Sequence, residues 1–231
     1  MANPVKYVDP DGRKIKTTND NLPLITSTLS SAESKYVNLD DNGFIDVNLL
    51  KTGAENIGNV GGNYLSLLEI AVNEKIVEFS APLDQSAVNG NNVSVSGNDV
   101  NFPFRDPIND EYTNGEYEMV GGLGVTLAPK SHKWTKHDQD LRDKLPAANR
   151  LSSNNSNYQV QVNGRGLKHK STYKTLVETT AHELYGHLLM MFRGKDALHS
   201  PVRYGEGSNV GLENQIRESE NEAINNYESG N

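Results

Sequence analysis

The chain has 231 residues with a net charge of −8, and it contains no cysteine. A chain of this length forms one good-sized domain or two small ones. The acidic balance, with no basic stripe to offset it, argues against a nucleic-acid partner. The lack of cysteine excludes disulfides and thiolate ligands, so a bound metal must use nitrogen and oxygen ligands. We expect no membrane span, and residues 1–27 lack the apolar centre of a signal peptide.

The first dozen residues contain a strong turn. Residues 3–13 read Asn-Pro-Val-Lys-Tyr-Val-Asp-Pro-Asp-Gly-Arg, in which Pro10 presets φ and Gly12 supplies a positive φ. The stretch resembles the end of an RHS-repeat (rearrangement hotspot) core, which in that family precedes a variable C-terminal domain that is often a toxin. The resemblance implies that residues 1–13 end an RHS shell and that residues 14–231 are the secreted or delivered domain of a larger exported bacterial protein. A cognate immunity protein would then protect the producer.

The N-terminal half is weakly patterned. Residues 14–41 are polar and rich in Ser, Thr and Asn, which predicts a linker or irregular surface. Residues 44–50 alternate in part and could form a short strand, whereas residues 64–72 are apolar and predict a helix. Residues 75–80 predict a strand. These elements allow a β-rich N-terminal subregion over residues 14–128.

Three further strand signals and one charged segment follow. Residues 93–102 alternate around a Gly-Asn turn and predict a hairpin. Residues 122–128 predict a glycine-bearing strand rather than a phosphate-binding loop, because no Lys-Ser/Thr pair follows the glycines. Residues 157–164 alternate cleanly and predict another strand. Residues 130–144 mix Lys and Arg with Asp, which predicts a solvated face.

The most informative stretch is an apolar, helix-compatible run over residues 175–191. It contains His182-Glu183-x-x-x-His187, so two imidazoles can hold a metal while a carboxylate takes a proton from the metal-bound water. In a regular helix, residues five apart lie about 140° apart around the axis and cannot both face one metal. A single π-type turn restores a shared face, and Gly186 lets the backbone adopt that geometry. The spacing therefore predicts a π turn within a metal-binding helix.

The motif has a counterpart in a known family. It reads His-Glu-Leu-Tyr-Gly-His and resembles the His-Glu-x-x-Gly-His signature of dipeptidyl peptidase III, a family of zinc peptidases with the same extra residue before the second histidine. The resemblance implies that His182 and His187 bind Zn²⁺ and that Glu183 is the general base. A buried helix that carries these residues by chance is the alternative, but burying them without a function is costly.

A second helix is predicted over residues 210–227, with an apolar stripe and with Ser208 or Asn209 as its N-cap. Catalytic zinc needs a third protein ligand, and this glutamate-rich helix is the natural source of a carboxylate. Glu213 is preferred because it lies early in the helix and can face the core. The remaining candidates, in which Glu218 ranks next, are Glu218, Glu220 and Glu222. Solvated charges on a surface helix are the alternative for all of them.

Two residues between the helices, His199 and Tyr204, are candidates for stabilising the oxyanion of the reaction. Zincins often place such a group in this part of the chain, and a loop position suits the role. Ordinary surface residues are the alternative for both. His132 and His137 flank Trp134 in the charged segment, and we expect them at the surface.

Together these signals predict an α+β, zincin-like domain over residues 14–231, with a mixed or antiparallel sheet packed on a metal-binding helix and on a second, glutamate-bearing helix. Zincins usually bind extended substrate along an edge strand of that sheet. The strands at residues 122–128 and 158–162 are both candidates for this edge. The expected activity is zinc-dependent hydrolysis of a peptide bond in a protein or peptide substrate, with Glu183 as general base.

Two other interpretations remain open. The chain could be a non-catalytic binding or delivery module whose metal helix is vestigial. The zinc could instead be structural, in which case four protein ligands would close the site. A glutamate directly after the first histidine is of little use to a closed site, which favours the enzyme.

Overall fold

The structure is a computed structural model that describes residues 15–81, 124–144, 156–162, 173–199 and 209–230. These residues form an α+β fold with a small mixed sheet. The RHS-like motif at residues 3–12, the hairpin predicted at residues 93–102, and Tyr204 lie outside the described residues.

Four strands and seven α-helices form in the described part of the chain. The strands are β1 (Ile15–Lys16), β2 (Val77–Ser80), β3 (Gly124–Leu127) and β4 (Tyr158–Val162). The helices are α1 (Leu22–Thr26), α2 (Val47–Ile57), α3 (Gly62–Ala71), α4 (Lys136–Lys144), α5 (Tyr173–Ala181), α6 (Leu189–Phe192) and α7 (Val210–Gly230). A 3₁₀ turn covers Ser34–Tyr36, and a π helix over His182–Leu188 joins α5 to α6. We call the continuous segment of residues 173–192 the histidine helix.

The sheet has the strand order β1-β2-β4-β3. Strands β1, β2 and β4 run parallel to one another, and β3 is antiparallel to β4, with Thr126 opposite Val160. Among the described strands, β3 therefore lies at an edge, whereas β4 is paired on both sides. This separates the two candidates for the substrate edge, because of these two strands only β3 has a free side in the described sheet.

The sheet packs against the histidine helix. Along β4, Tyr158, Val160 and Val162 are buried while the two intervening glutamines are partly exposed, which is the period-two pattern that predicts a half-buried strand. Strands β3 and β4 contact the π helix, and α7 contacts both α5 and the π helix. The histidine helix is thus covered by the sheet and by α7, which buries Glu183 and His187 and leaves His182 partly exposed.

Most elements predicted from periodicity are confirmed. Strands β2, β3 and β4 lie within the predicted strand segments, and α3 and α7 match the predicted helices. Helix α7 has Asn209 as its cap, because the Asn209 Oδ1 accepts a hydrogen bond from the backbone N–H of Leu212 at 3.1 Å. In the described part of the chain, none of the helices combines the length and the apolar character needed to span a bilayer.

The prediction of a linker over residues 14–41 is wrong. Ile15 pairs with β2 in the sheet, and Leu24 of α1 is fully buried in the core. The hydroxyl of Thr28, also fully buried, lies 2.9 Å from the hydroxyl of Tyr185 in the π helix. Single apolar residues in a polar segment carry no periodicity, so this packing left no pattern in the sequence.

The prediction of a short strand at residues 44–50 holds only at its start, where Phe44 and Ile45 form isolated antiparallel bridges. It is wrong from Val47 onward, where α2 begins. The Asp46 carboxylate accepts hydrogen bonds from the backbone N–H groups of Asn48 at 2.9 Å and Leu49 at 3.1 Å. This is an N-cap, and it satisfies two of the donors that a helix start leaves unpaired. Because apolar residues partly alternate over residues 44–50, the segment resembled a strand, and Asp46 was not recognised as a helix N-cap.

Residues 130–144 are not solvated throughout. Asp138 of α4 is only 1% exposed, and His132 and His137, which we expected at the surface, are both partly buried. Nδ1 of His132 lies 2.8 Å from the hydroxyl of Tyr158. The charged composition of this segment therefore conceals residues that pack against the sheet and the loops near it.

His132 is expected to make stability depend on pH. Burial, followed by the nearby positive charges of Lys75 and Arg142, lowers the pKa of His132 from 6.5 to about 4. As pH falls below 6.5, the unfolded chain takes up a proton that the folded protein excludes until about pH 4, so folding becomes less favourable over this window. His132→Asn, which does not titrate, should lose less free energy of unfolding than wild type between about pH 7 and about pH 5.

Urea unfolding of both metal-depleted proteins at the two pH values measures this difference. The ring is partly exposed, so solvent screening reduces the effect. The test is therefore which of the two proteins loses more free energy of unfolding. An equal loss of stability in both proteins would contradict the assigned shift.

Candidate metal centre

The two histidines of the predicted motif face the same point. Helix α5 ends at Ala181, the π helix spans His182–Leu188, and α6 continues from Leu189. The π helix absorbs the extra residue and brings Nε2 of His182 to 3.2 Å from Nε2 of His187. The predicted π turn is confirmed.

Gly186 has a different role from the one expected. Among the described residues, positive φ is found only at Gly43, Gly58 and Gly194, so the π turn does not use the conformational freedom of glycine. A Cβ at Gly186 would instead lie 2.5 Å from Cγ1 of Ile216 on α7. Gly186 is required because α7 packs directly against the π helix.

A third histidine joins the other two. His199 follows α6, and its Nε2 lies 3.3 Å from Nε2 of His182. One ligand atom from each of His182, His187 and His199 lies within 4.8 Å of the others. We call these three residues the histidine cluster, and together they could bind a metal ion.

Each imidazole of the cluster is held through its other nitrogen. Nδ1 lies close to an acceptor oxygen in every case: of Glu220 for His182 at 2.7 Å, of the Ala197 carbonyl for His187 at 2.5 Å, and of Glu213 for His199 at 2.8 Å. Because all three partners are acceptors, the hydrogen-bond network assigns a proton to each Nδ1. In a neutral ring this leaves a lone pair on Nε2, and the three Nε2 atoms converge.

The spacing of these atoms fits a small tetrahedral cation. Zn–N bonds of about 2.0–2.1 Å at tetrahedral angles place neighbouring nitrogens about 3.3–3.4 Å apart. The two Nε2 pairs that include His182 are separated by 3.2 and 3.3 Å. Two lone pairs this close repel one another unless a metal ion or a shared proton lies between them. Imidazole nitrogen suits zinc and several other transition metals.

Glu183 is a buried carboxylate beside the cluster, and only 6% of it is exposed. Its Oε2 accepts a hydrogen bond from the hydroxyl of Thr126 on β3 at 2.8 Å. Gly124 makes room for the side chain, because a Cβ there would lie 2.6 Å from Cγ of Glu183. Burial raises the pKa of Glu183, while the charge of His182 and the bond from Thr126 act in the opposite direction.

The electrostatic surroundings of the two motif histidines differ. Burial, followed by the positive charges of His182 and His199, lowers the pKa of His187 well below its ordinary value. Burial also acts to lower the pKa of His182, but the hydrogen bond to Glu220 and the charges of nearby carboxylates raise it above the ordinary value. The neutral form of His187 is therefore favoured, whereas the protonated form of His182 is stabilised by the Glu220 carboxylate.

The structure exchanges the positions expected for Glu213 and His199. The sequence favours Glu213 as third ligand and His199 as an oxyanion group. In the structure, Nε2 of His199 joins His182 and His187, and Glu213 hydrogen-bonds to Nδ1 of His199 on the far side of the ring. The imidazole of His199 thus lies between Glu213 and the other histidines, which keeps the carboxylate out of the cluster.

The other glutamates of α7 have separate positions. Glu220 lies seven residues after Glu213, so both side chains project from one face of α7, two turns apart. The Glu222 carboxylate accepts a hydrogen bond from the backbone N–H of Asn63 at 3.1 Å, at the start of α3. Glu218 is exposed. The seven-residue spacing was the signal in the sequence that pairs Glu213 with Glu220.

Comparison with known proteins adds nothing to this picture. No protein-family model, curated protein sequence or solved structure matches the chain. The functional assignment therefore depends on the geometry of the histidine cluster and of Glu183.

Gly186→Ala is expected to lower the free energy of unfolding by about 1–3 kcal/mol, the usual cost of overpacking a core. The added methyl would lie 2.5 Å from Cγ1 of Ile216 and push α7 away from the π helix. Urea unfolding of metal-depleted protein measures the change.

Gly211→Ala is the matched control, because a Cβ at that position of α7 meets nothing closer than 3.7 Å. Since alanine is the better helix former, this variant should be as stable as wild type or more so. In an Ile216→Ala background the clash is absent, so Gly186→Ala should cost less free energy of unfolding there than it does in wild type. A Gly186→Ala protein of unchanged stability would show that α7 does not need this close contact.

Proposed function

We propose that the chain is a zinc-dependent metallopeptidase of the zincin kind. The observation that carries the proposal is the convergence of three imidazole Nε2 atoms beside the buried carboxylate of Glu183. Three nitrogen ligands are the number that a catalytic zinc takes from the protein in several enzymes, with the fourth position left for water. The acceptors behind the rings, which include Glu213 and Glu220, are of the kind that orient zinc-binding imidazoles.

In this proposal Glu183 performs the proton transfers. Zinc, when bound, polarises the scissile carbonyl and lowers the pKa of water. Glu183 removes the proton from the attacking water and delivers it to the leaving amine. The Thr126 hydroxyl fixes one oxygen of the Glu183 carboxylate. Burial favours the protonated form of Glu183, which is the form that later donates its proton to the leaving amine. Both features support a general base rather than a structural carboxylate.

The position of β3 supports a peptide substrate. One side of β3 pairs with β4, and in the described sheet no strand pairs with the other side. Gly124 and Thr126 of β3 contact Glu183, so a peptide added along this edge would pass next to the general base. Backbone pairing at a strand edge holds a peptide without reading its side chains. An extended protein segment or peptide is therefore the proposed substrate.

A structural zinc site is the less favoured alternative. A closed site needs four protein ligands, and in the described residues the cluster consists of three histidines with no carboxylate among them. The carboxylates of Glu213 and Glu220 are engaged with Nδ1 atoms instead. An open coordination position agrees better with catalysis.

The proposal predicts that the protein binds zinc and cleaves peptide bonds, and that one variant loses only the cleavage while another loses both. Wild-type protein should contain about one zinc per chain and cleave a fluorescently labelled unfolded protein. Glu183→Gln should keep the zinc and lose at least about 100-fold in cleavage rate, because the proton acceptor is gone. His199→Ala should lose both zinc and activity. Metal analysis and the cleavage assay on the same preparations measure the two properties.

His132→Asn is the control for this series, since it removes an imidazole that lies outside the cluster, and it should keep both zinc and activity. Cleavage by Glu183→Gln at the wild-type rate would overturn the role of Glu183. Zinc retained by His199→Ala with normal affinity would overturn the ligand set. Metal-free wild-type protein would favour the binding or delivery module.

We also propose that the domain is a toxin delivered by an RHS-type protein, on the basis of residues 3–12. Production of the chain in the bacterial cytoplasm or periplasm should slow growth, and Glu183→Gln or His187→Ala should relieve the effect, because growth inhibition would need the peptidase. Growth curves with matched protein levels provide the measurement. Equal growth with wild-type and variant chains in both compartments would contradict the antibacterial role and leave the peptidase proposal standing.

A further inference from the structure

The short segment of residues 195–199 contributes twice to the histidine cluster. Its Ala197 carbonyl accepts the hydrogen bond from Nδ1 of His187, and its His199 supplies the third converging Nε2. The segment has no helix or strand structure of its own. A backbone without a regular hydrogen-bond ladder can hold two such groups in place only if contacts from other elements fix it.

One buried side chain from another element holds this segment in place through hydrogen bonds. Asp138 lies on α4 and is only 1% exposed. Its Oδ2 accepts a hydrogen bond from the backbone N–H of Ala197 at 2.8 Å, and its Oδ1 accepts one from Leu198 at 3.1 Å. The first bond fixes the residue whose carbonyl holds His187. The second holds the Ala197–Leu198 peptide group, whose oxygen is that same carbonyl, one residue before His199.

Hydrogen bonds from two further side chains, those of Thr135 and Asn209, fix the same segment. The Thr135 hydroxyl donates to the Asp196 carboxylate at 2.6 Å and accepts from the backbone N–H of Asp138 at 3.1 Å. The side-chain amide of Asn209, the cap of α7, donates to the Asp196 carbonyl at 2.9 Å. The segment is therefore tied to the start of α4 and to the start of α7, with the Asp138 carboxylate at its centre.

We propose that Asp138 is a positioning residue of the metal centre: without touching the ion, its carboxylate fixes the segment that supplies His199 and the acceptor for His187. This inference rests on metal binding by the cluster, which is part of the proposed function, but not on peptide hydrolysis. Both Asp138 bonds are to backbone N–H groups, so the role depends on two acceptor oxygens and not on the negative charge alone. A buried carboxylate is costly, and these charge-assisted bonds are what compensate for it.

Asp138→Asn tests the proposal with little change in shape. An amide offers one acceptor oxygen, so its NH₂ group would face one of the two N–H donors and that bond would be lost. The zinc affinity should fall by up to about 10-fold, the lower end of the effect of removing a direct hydrogen-bond partner of a zinc ligand, because Asp138 acts one bond further from the ion. Competition of the full chain against a chromogenic zinc chelator at fixed pH measures this, and so does the increase in melting temperature that added zinc produces.

Asp46→Ala is the matched control, because Asp46 also accepts two backbone N–H bonds but caps α2 outside the metal centre. It should lower the melting temperature of the metal-free protein and leave the zinc affinity unchanged, which separates positioning from general destabilisation. Thr135→Val removes the hydrogen bond from the Thr135 hydroxyl to the Asp196 carboxylate. It should weaken zinc binding less than Asp138→Asn does. This milder variant also keeps the test decisive if Asp138→Asn fails to fold.

The outcomes separate the two proposals. Tight zinc binding by wild type that is unchanged in Asp138→Asn and in Thr135→Val would overturn the positioning role and leave the metal centre standing. An equal loss of affinity in Asp46→Ala would also overturn it, because the effect would then be one of general stability. A wild-type chain that binds no zinc would overturn the metal centre and the positioning role together.

Discussion

Three imidazoles can aim their lone pairs at one point only if an acceptor fixes each ring through its other nitrogen. Much of the described structure follows from this constraint. Helix α7 supplies two of the acceptors, Glu213 and Glu220, so it must lie close to the π helix, and Gly186 is the residue that permits the approach. The third acceptor is a backbone carbonyl, so a loop has to be held as firmly as a helix. That requirement explains a buried aspartate on α4.

The same arrangement concentrates buried polar groups in a small volume. Glu183, Asp138 and Thr126 are all buried, and each is hydrogen-bonded, which is what limits the cost of removing them from water. The apolar positions of the π helix, Leu184 and Leu188, are fully buried against the core and stabilise the segment that carries these groups. Because a metal would bind the folded cluster and not the unfolded chain, its binding energy would add to the stability of the fold.

The sequence predicted the elements whose patterns are local. Helix α7 and its Asn209 cap, strand β4 and the π turn all follow from spacings within one segment. Residues 14–41 were predicted wrongly because their burial depends on distant partners, such as Tyr185 for Thr28. The start of α2 was missed for a local reason, since the apolar alternation around Asp46 resembled a strand. The candidate site divided in the same way. His182, Glu183 and His187 lie in one motif, whereas the choice between His199 and Glu213 depends on how a loop and a helix meet, which no local spacing records.

The order of these elements along the chain has a consequence for biosynthesis. All three histidines leave the ribosome before α7, which carries the carboxylates that orient His182 and His199. Until α7 docks, the rings lack two of their three acceptors and nothing fixes their lone pairs on a common point. The cluster is therefore assembled after its histidines have been made, so a nascent chain halted at residue 199 would hold all three rings without the carboxylates that orient two of them.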